Sequence, residues 1–353
     1  MLAMGIFGYL GDYVLWWVLF LSLVLHTWCF FRFFPRQKHR KSGLVLGNLL
    51  VFACMLGAVA IIGESYYRFI CVRTDSFGLS LPAQRWFALY TRVNTLGCRD
   101  REWTAGDPPN LRRIACVGDS FTYGWGIEQV TDRFPDRLQA GFDRRSPDSV
   151  EVMNVAKPGW GTDQQIRPIV DMIDRYGVDE VLLCYVPNDI ERLLPRDDTF
   201  NPIVPPQPRY FNPDSSCLLY ELFFRLVVPH ADTVAGYHDW LAAGFADADI
   251  FNAHRHQLAE IIRACAARGV TLRVALLPFL VTGGDTFDTQ RVHAQLRAFF
   301  HQQGIEVADL SSVLTGRDTA DLIVNPLDPH PNEFAHQLFA DAIWEAFYAS
   351  PTP

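Results

Sequence analysis

The sequence predicts an α/β protein: a doubly wound parallel sheet preceded by a hairpin of two apolar helices. Three observations predict it. Two long apolar runs open the chain. From Ile114 onward, short apolar, β-preferring runs alternate with helical stretches, the pattern of a parallel sheet with right-handed crossovers. One of those runs, Glu180 to Val186 (EVLLCYV), is apolar almost throughout, as a central strand covered on both faces must be.

The first apolar run, Val14 to Phe31, is broken only by His26 and two hydroxyls; the second, Leu44 to Gly63, only by Asn48. Each is about as long as the hydrocarbon core of a bilayer requires. Aromatic residues flank them (Trp16, Trp17, Phe30, Phe31, Tyr66, Tyr67), as at membrane interfaces. No basic region precedes the first run, so it does not read as a signal peptide. Arg32, Arg36, Lys38, Arg40 and Lys41 lie between the runs, and basic residues are retained on the cytoplasmic side. The expectation is a hairpin anchor over residues 1–66, with spans of about 14–31 and 44–63, in lipid contact in a bacterial inner membrane. Everything after Tyr66 then lies outside the cytoplasm. The net charge of −8, with five cations gathered in that one loop, excludes nucleic acid as a partner.

Residues 67–110 mix apolar and charged positions without a clear period and read as a neck packing on the domain of residues 111–353. Within that domain the expected strands are Ile114–Val117, Val150–Val155, Glu180–Val186, Thr271–Leu277 and Ile305–Leu310. The expected helices cover Asp132–Phe142, Asp163–Tyr176, Phe251–Arg268, Thr289–Gln303 and Asn332–Tyr348. Residues 194–249 are too long for an ordinary βα connection and read as an insertion or lid. The eight cysteines show no CxxC and no metal spacing. Cys116 and Cys184 fall inside strands as small hydrophobes, while Cys71 and Cys98 could pair in an oxidising compartment.

Chemistry-bearing residues gather at the carboxyl ends of these strands, where open α/β folds keep their ligands. After the first strand comes Gly118-Asp119-Ser120, with Ser120 opening a helix whose free N–H groups suit an oxyanion. After the second comes NVAKPGWG, with Gly159 and Gly161. The third is followed by VPND, with Asn188 and Asp189, and the last helix is preceded by DPHPN, with Asp328 and His330. Acyl transfer needs a nucleophile, a base, an orienter for the base, and donors for the oxyanion. Each block also has a plain structural use, as cap, turn or loop. All four at the right ends of the right elements point to one site.

These blocks resemble those of the SGNH (GDSL-type) hydrolases, whose name comes from Ser, Gly, Asn and His. The resemblance spans about Arg112 to Tyr348. It implies a flavodoxin-like three-layer α/β/α sandwich and a serine esterase with Ser120 as nucleophile and His330 as base. Ser120, Gly159 and Asn188 would be the oxyanion donors, and Asp328 the orienting acid, with no cofactor or metal. The chain departs from the family pattern twice. Val186 stands where G-x-N-D has Gly, which would reshape the pocket beside the oxyanion. Leu327 stands where D-x-x-H has the acid, so either Asp328 reaches the imidazole from a bent loop or Ser120 and His330 work as a dyad. Asp119 is expected to fix the turn. His254 and His256 should face different sides of their helix, and His293 and His301 the outer side of theirs. His336 is expected in core or surface rather than in the site.

The expected substrate is an ester-bearing glycan or lipid of the envelope, an O-acetyl ester above all. An acyltransferase acting on an exported polysaccharide, and a non-catalytic glycan-binding protein on the same fold, are the alternatives.

Overall fold

The computed structural model describes residues 2–33, 40–76, 78, 80–195, 230–280 and 288–349. The chain forms two compact units. One is built around Met1–Arg73 and Leu79–Arg85; the other comprises Thr74–Gly78, Trp86–Pro205 and Ala231–Pro353. Residues 67–110, read from the sequence as a neck, divide between the two.

In the first unit α1 (Leu2–Phe33) and α2 (Arg40–Phe69) hold stretches long and apolar enough to cross a membrane, Tyr13–Phe33 and Lys41–Phe69. Most of their large apolar side chains are exposed, Leu19 at 59% and Val59 at 68% among them, whereas core helices of a soluble domain would bury them. The helices meet through Tyr13 Oη and Ser65 Oγ at 2.7 Å and through Thr27 Oγ1 and Cys54 Sγ at 3.3 Å. A Cβ at Gly57 would sit 2.8 Å from the Phe20 ring, so the small residue sets how closely they approach.

The second unit is a five-stranded parallel sheet in the order β2-β1-β3-β4-β5. Its strands are β1 (Arg112–Gly118), β2 (Val150–Ala156), β3 (Glu180–Tyr185), β4 (Thr271–Leu276) and β5 (Glu306–Asp309). In register, Cys116 lies opposite both Asn154 and Leu182. Alternation along β1 and β3 feeds two cores. Ala115, Val117, Val181 and Leu183 face one layer, Ile114, Cys116, Leu182 and Cys184 the other. The first core is closed by α6 (Thr162–Tyr176), α7 (His230–Ala246), α8 (Ala248–Ala266) and α9 (Thr289–Gln302). The second is closed by α5 (Phe134–Arg145) and α10 (Glu333–Phe347), through Leu138 and Phe339. Truncating either of these side chains to Ala would cost about 2–5 kcal/mol. The fold is the expected three-layer α/β/α sandwich.

The structure adds α3 (Leu81–Tyr90), the single helical turn α4 (Ser120–Tyr123) and an antiparallel pair, β6 (Ile323–Asn325) with β7 (Asp328–Pro331). Of the 194–249 insertion, α7 packs Leu241 and Phe245 into the first core. Residues 196–229, with the apolar stretch CLLYELFFRLVV, lie outside the described residues. Cys71 and Cys98 are both free thiols. His254 is buried and His256 exposed, on different faces as expected. His293 is not on an outer face: it is fully buried, its Nδ1 2.7 Å from Asp309 Oδ1. A helix period marks a buried face only when its partner is known, and β5 supplies Asp309 as that partner. His336 is core, its Nδ1 accepting from the Phe134 N–H at 3.2 Å.

Candidate active site

The site begins where β1 stops. A Cβ at Gly118 would lie 2.2 Å from Thr122 Oγ1 and 2.9 Å from the Cys184 carbonyl oxygen, so only glycine lets the chain turn there. Asp119 caps α4 through a 2.9 Å bond to its Oδ1 from the Phe121 N–H. Ser120, the first residue of α4, is placed at the carboxyl edge of the sheet at 6% exposure. Asn154 in β2 ties the neighbouring loop to this turn by donating to the Thr122 carbonyl at 2.7 Å.

His330 arrives from β7, with Nε2 2.9 Å from Ser120 Oγ. Its Nδ1 lies 2.5 Å from Asp328 Oδ1, and its backbone N–H donates to the same oxygen at 3.2 Å. Residues two apart on a strand project from one face, so the D-P-H spacing brings acid and imidazole together. Leu327, at the position the family gives to the acid, uses its backbone instead, donating to Asn325 Oδ1 at 2.9 Å. Of the two alternatives left by the sequence, the geometry is that of a reaching acid. Since Asp328 accepts at Nδ1, Nε2 is left to accept the Ser120 hydroxyl proton. Burial pushes the Asp328 carboxyl up. The His330 charge and the hydrogen bonds to the carboxylate outweigh it, holding the group below its ordinary range.

Gly159 is exposed and left-handed at φ +74°, with open space where a side chain would be. Among the described residues neither the Ser120 N–H nor the Gly159 N–H donates a hydrogen bond. Asn188 Nδ2 donates to Asp119 Oδ2 at 2.9 Å, which fixes the amide's orientation and leaves its second N–H for another acceptor. Asp119 therefore does more than fix the turn. Burial raises its pKa, and it raises that of Asp189 well above the ordinary range, together with the negative charge of Asp119. Gln165 Nε2 donates to Asp189 Oδ1 at 3.3 Å. Val186 has a φ of −120°, which any residue adopts, and its side chain is wholly buried in the second core.

Two neighbours carry no signal in the sequence. Trp125 stacks on the His330 ring with centroids 5.2 Å apart and planes at 22°, and Phe121 meets the same ring edge-on at 5.6 Å. Among the described residues no group of three or more His, Cys, Asp or Glu could hold a metal ion. Serine, imidazole and carboxylate in line, beside unengaged N–H groups, can form and discharge an acyl-enzyme.

Several solved structures resemble the chain. A member of the lipolytic protein G-D-S-L family from Veillonella parvula is 17% identical, with a TM-score of 0.42, covering 67% of this chain and 98% of that one. The psychrotrophic esterase EstA from Pseudoalteromonas sp. is 13% identical, with a TM-score of 0.42 and coverages of 67% and 97%. A family 3 carbohydrate esterase from Clostridium thermocellum is 15% identical, with a TM-score of 0.40 and coverages of 67% and 94%. No curated protein matches. The model of the GDSL-like lipase/acylhydrolase family matches residues 116–338, from the middle of β1 into α10. Over that span the chain belongs to the GDSL-like lipase/acylhydrolase family and is a serine ester hydrolase.

Proposed function

We propose that the chain is a membrane-anchored serine esterase working outside the cytoplasm of a bacterium, where it removes O-acyl groups, acetyl above all, from envelope glycans or lipids. One observation carries the chemistry: the hydrogen-bonded line from Ser120 Oγ through His330 to Asp328 Oδ1. His330 Nε2 takes the hydroxyl proton as Ser120 Oγ attacks the ester carbonyl, and Asp328 holds the imidazolium that forms. The oxyanion is received by the N–H groups of Ser120 and Gly159 and by the free N–H of the Asn188 amide. The tetrahedral intermediate expels the alcohol, which takes its proton from Nε2. Water then attacks the acyl-enzyme by the same path.

Location rests on the two exposed apolar helices and the basic residues between them. The hairpin of residues 1–66 anchors the chain, and residues 67–110 lead into the catalytic domain of residues 111–353. An esterase held on the outer face meets the esters of the envelope first.

The test is turnover of p-nitrophenyl acetate and butyrate, and acetate release from O-acetylated glycan, by the full chain in detergent. Activity lost in Ser120→Ala supports the reading, whereas hydrolysis that survives it removes Ser120 as nucleophile. Acyl groups recovered on an added glycan instead of as free acid would make the enzyme a transferase.

A further inference from the structure

Thr74, Asp75 and Ser76 precede the α/β domain in sequence and carry none of its motifs, yet they reach its active site. Ser76 N–H and Ser76 Oγ both donate to the Leu327 carbonyl at 2.9 Å, across 251 positions of chain. Asn325 Nδ2 donates to the Thr74 carbonyl at 3.2 Å. Trp125, whose indole stacks on His330, donates from Nε1 to the Asp75 carbonyl at 3.1 Å. The β6–β7 pair that delivers Asp328 and His330 is thus held on one side by this segment. A lone two-stranded hairpin is marginal in water, so it needs such support.

The remaining observation concerns the acid itself. Asp328 Oδ1 is occupied by His330, while Asp328 Oδ2 is buried with no hydrogen-bond partner among the described residues. Thr74 Oγ1 is buried and equally unpartnered. The hydroxyl nevertheless acts on the Asp328 carboxylate, contributing to its lowered pKa. Two buried groups of complementary chemistry, each unsatisfied alone, gain by closing on one another. A donor at Oδ2 would also stop the carboxylate plane from turning away from the imidazole.

Resting on the reading of Ser120, His330 and Asp328 as a triad, we propose that Thr74–Ser76 is a positioning strap for the acid limb of the site. The Thr74 hydroxyl orients Asp328 through Oδ2, and Ser76 fixes the loop that presents it. Neither residue touches substrate.

The test uses the full chain in detergent with p-nitrophenyl acetate. Thr74→Val keeps the shape of the side chain and removes the donor. It should lower kcat about tenfold with KM within about twofold and the melting midpoint unchanged. Thr74→Ser should restore kcat, and Ser76→Ala should lower it about threefold. Wild-type kcat in Thr74→Val and Ser76→Ala, with Ser120→Ala inactive, overturns the strap and leaves the triad standing. Wild-type activity in Ser120→Ala overturns the triad itself. Should Thr74→Val fail to fold, Ser76→Ala decides: unchanged kcat there overturns the strap.

Discussion

The two edges of the central sheet treat buried polar groups in opposite ways. At the amino edge, Glu180 accepts from Tyr348 Oη at 2.5 Å, from Arg273 Nη1 at 2.8 Å and from Arg112. Arg113 donates to Glu151 Oε2 and the Gly106 carbonyl at 2.6 Å and to the Tyr176 carbonyl at 2.5 Å. At the carboxyl edge, Asn188 Oδ1, Asp189 Oδ2, Gln165 Oε1 and Asp328 Oδ2 are buried without partners among the described residues, and the N–H groups of Ser120 and Gly159 are unengaged by them. Each buried unsatisfied group costs about 1–3 kcal/mol. An edge that leaves several open gives up stability and keeps donors and acceptors ready for a reacting molecule. Glu180 and Arg113 are paired at the amino edge, whereas these atoms of the carboxyl edge are open.

The sharpest way to break that contrast is to remove the proposed nucleophile. Ser120→Ala should lower ester hydrolysis about 10⁶-fold while the melting midpoint stays at the wild-type value. A large drop in melting temperature would mean that Ser120 belongs to the scaffold. Next comes the proposed oxyanion donor. Asn188→Ala should lower kcat about 10³-fold with little change in KM, read from initial rates. Unchanged kcat would take Asn188 out of the site.

The opposite edge should answer the other way. Glu180→Gln should cost about 3 kcal/mol of stability, because two arginines lose a buried carboxylate. The turnover of the molecules that remain folded should not change. A denaturant midpoint equal to wild type would show that the amino edge is not held by its ion pairs.

The remaining effect is graded in pH. Burial lowers His254 to about 4, and burial, with the charges of Arg133, Arg137, Arg99 and His330, lowers His336 to about 3. Both are neutral in the folded chain where the unfolded chain, with an ordinary histidine pKa near 6.5, binds protons. The unfolded state therefore gains as pH falls below about 6.5, and stability is lost by up to about 1.4 kcal/mol per pH unit for each histidine down to its folded pKa. Melting curves between pH 7 and 4 check this. His336→Gln should flatten the slope, and an equal slope in that variant would refute the assignment.

Much of the architecture was legible because burial on both faces leaves a mark in the chain. EVLLCYV can be little else than a central strand, and the four blocks could be placed at strand ends before any coordinates. His293 was misplaced because a helical period cannot say which face meets a sheet. Asp328 stayed ambiguous because its spacing to His330 works only if those residues are extended, and a segment as short as β7 leaves no pattern of its own. Trp125, Thr74 and the Asp119–Asn188 bond were invisible. Each joins residues 50 or more positions apart.

By itself the sequence determined the two apolar helices, the alternation of strand and helix, and the chemical identity of Ser120, His330, Gly159 and Asn188, since these rest on local composition and short-range order. The tertiary structure alone decided the strand order, which acid meets the imidazole, which polar atoms stay open, and the hold of Thr74–Ser76 on the site. These depend on distances between residues far apart in the chain, which are set only when the two cores close on the sheet.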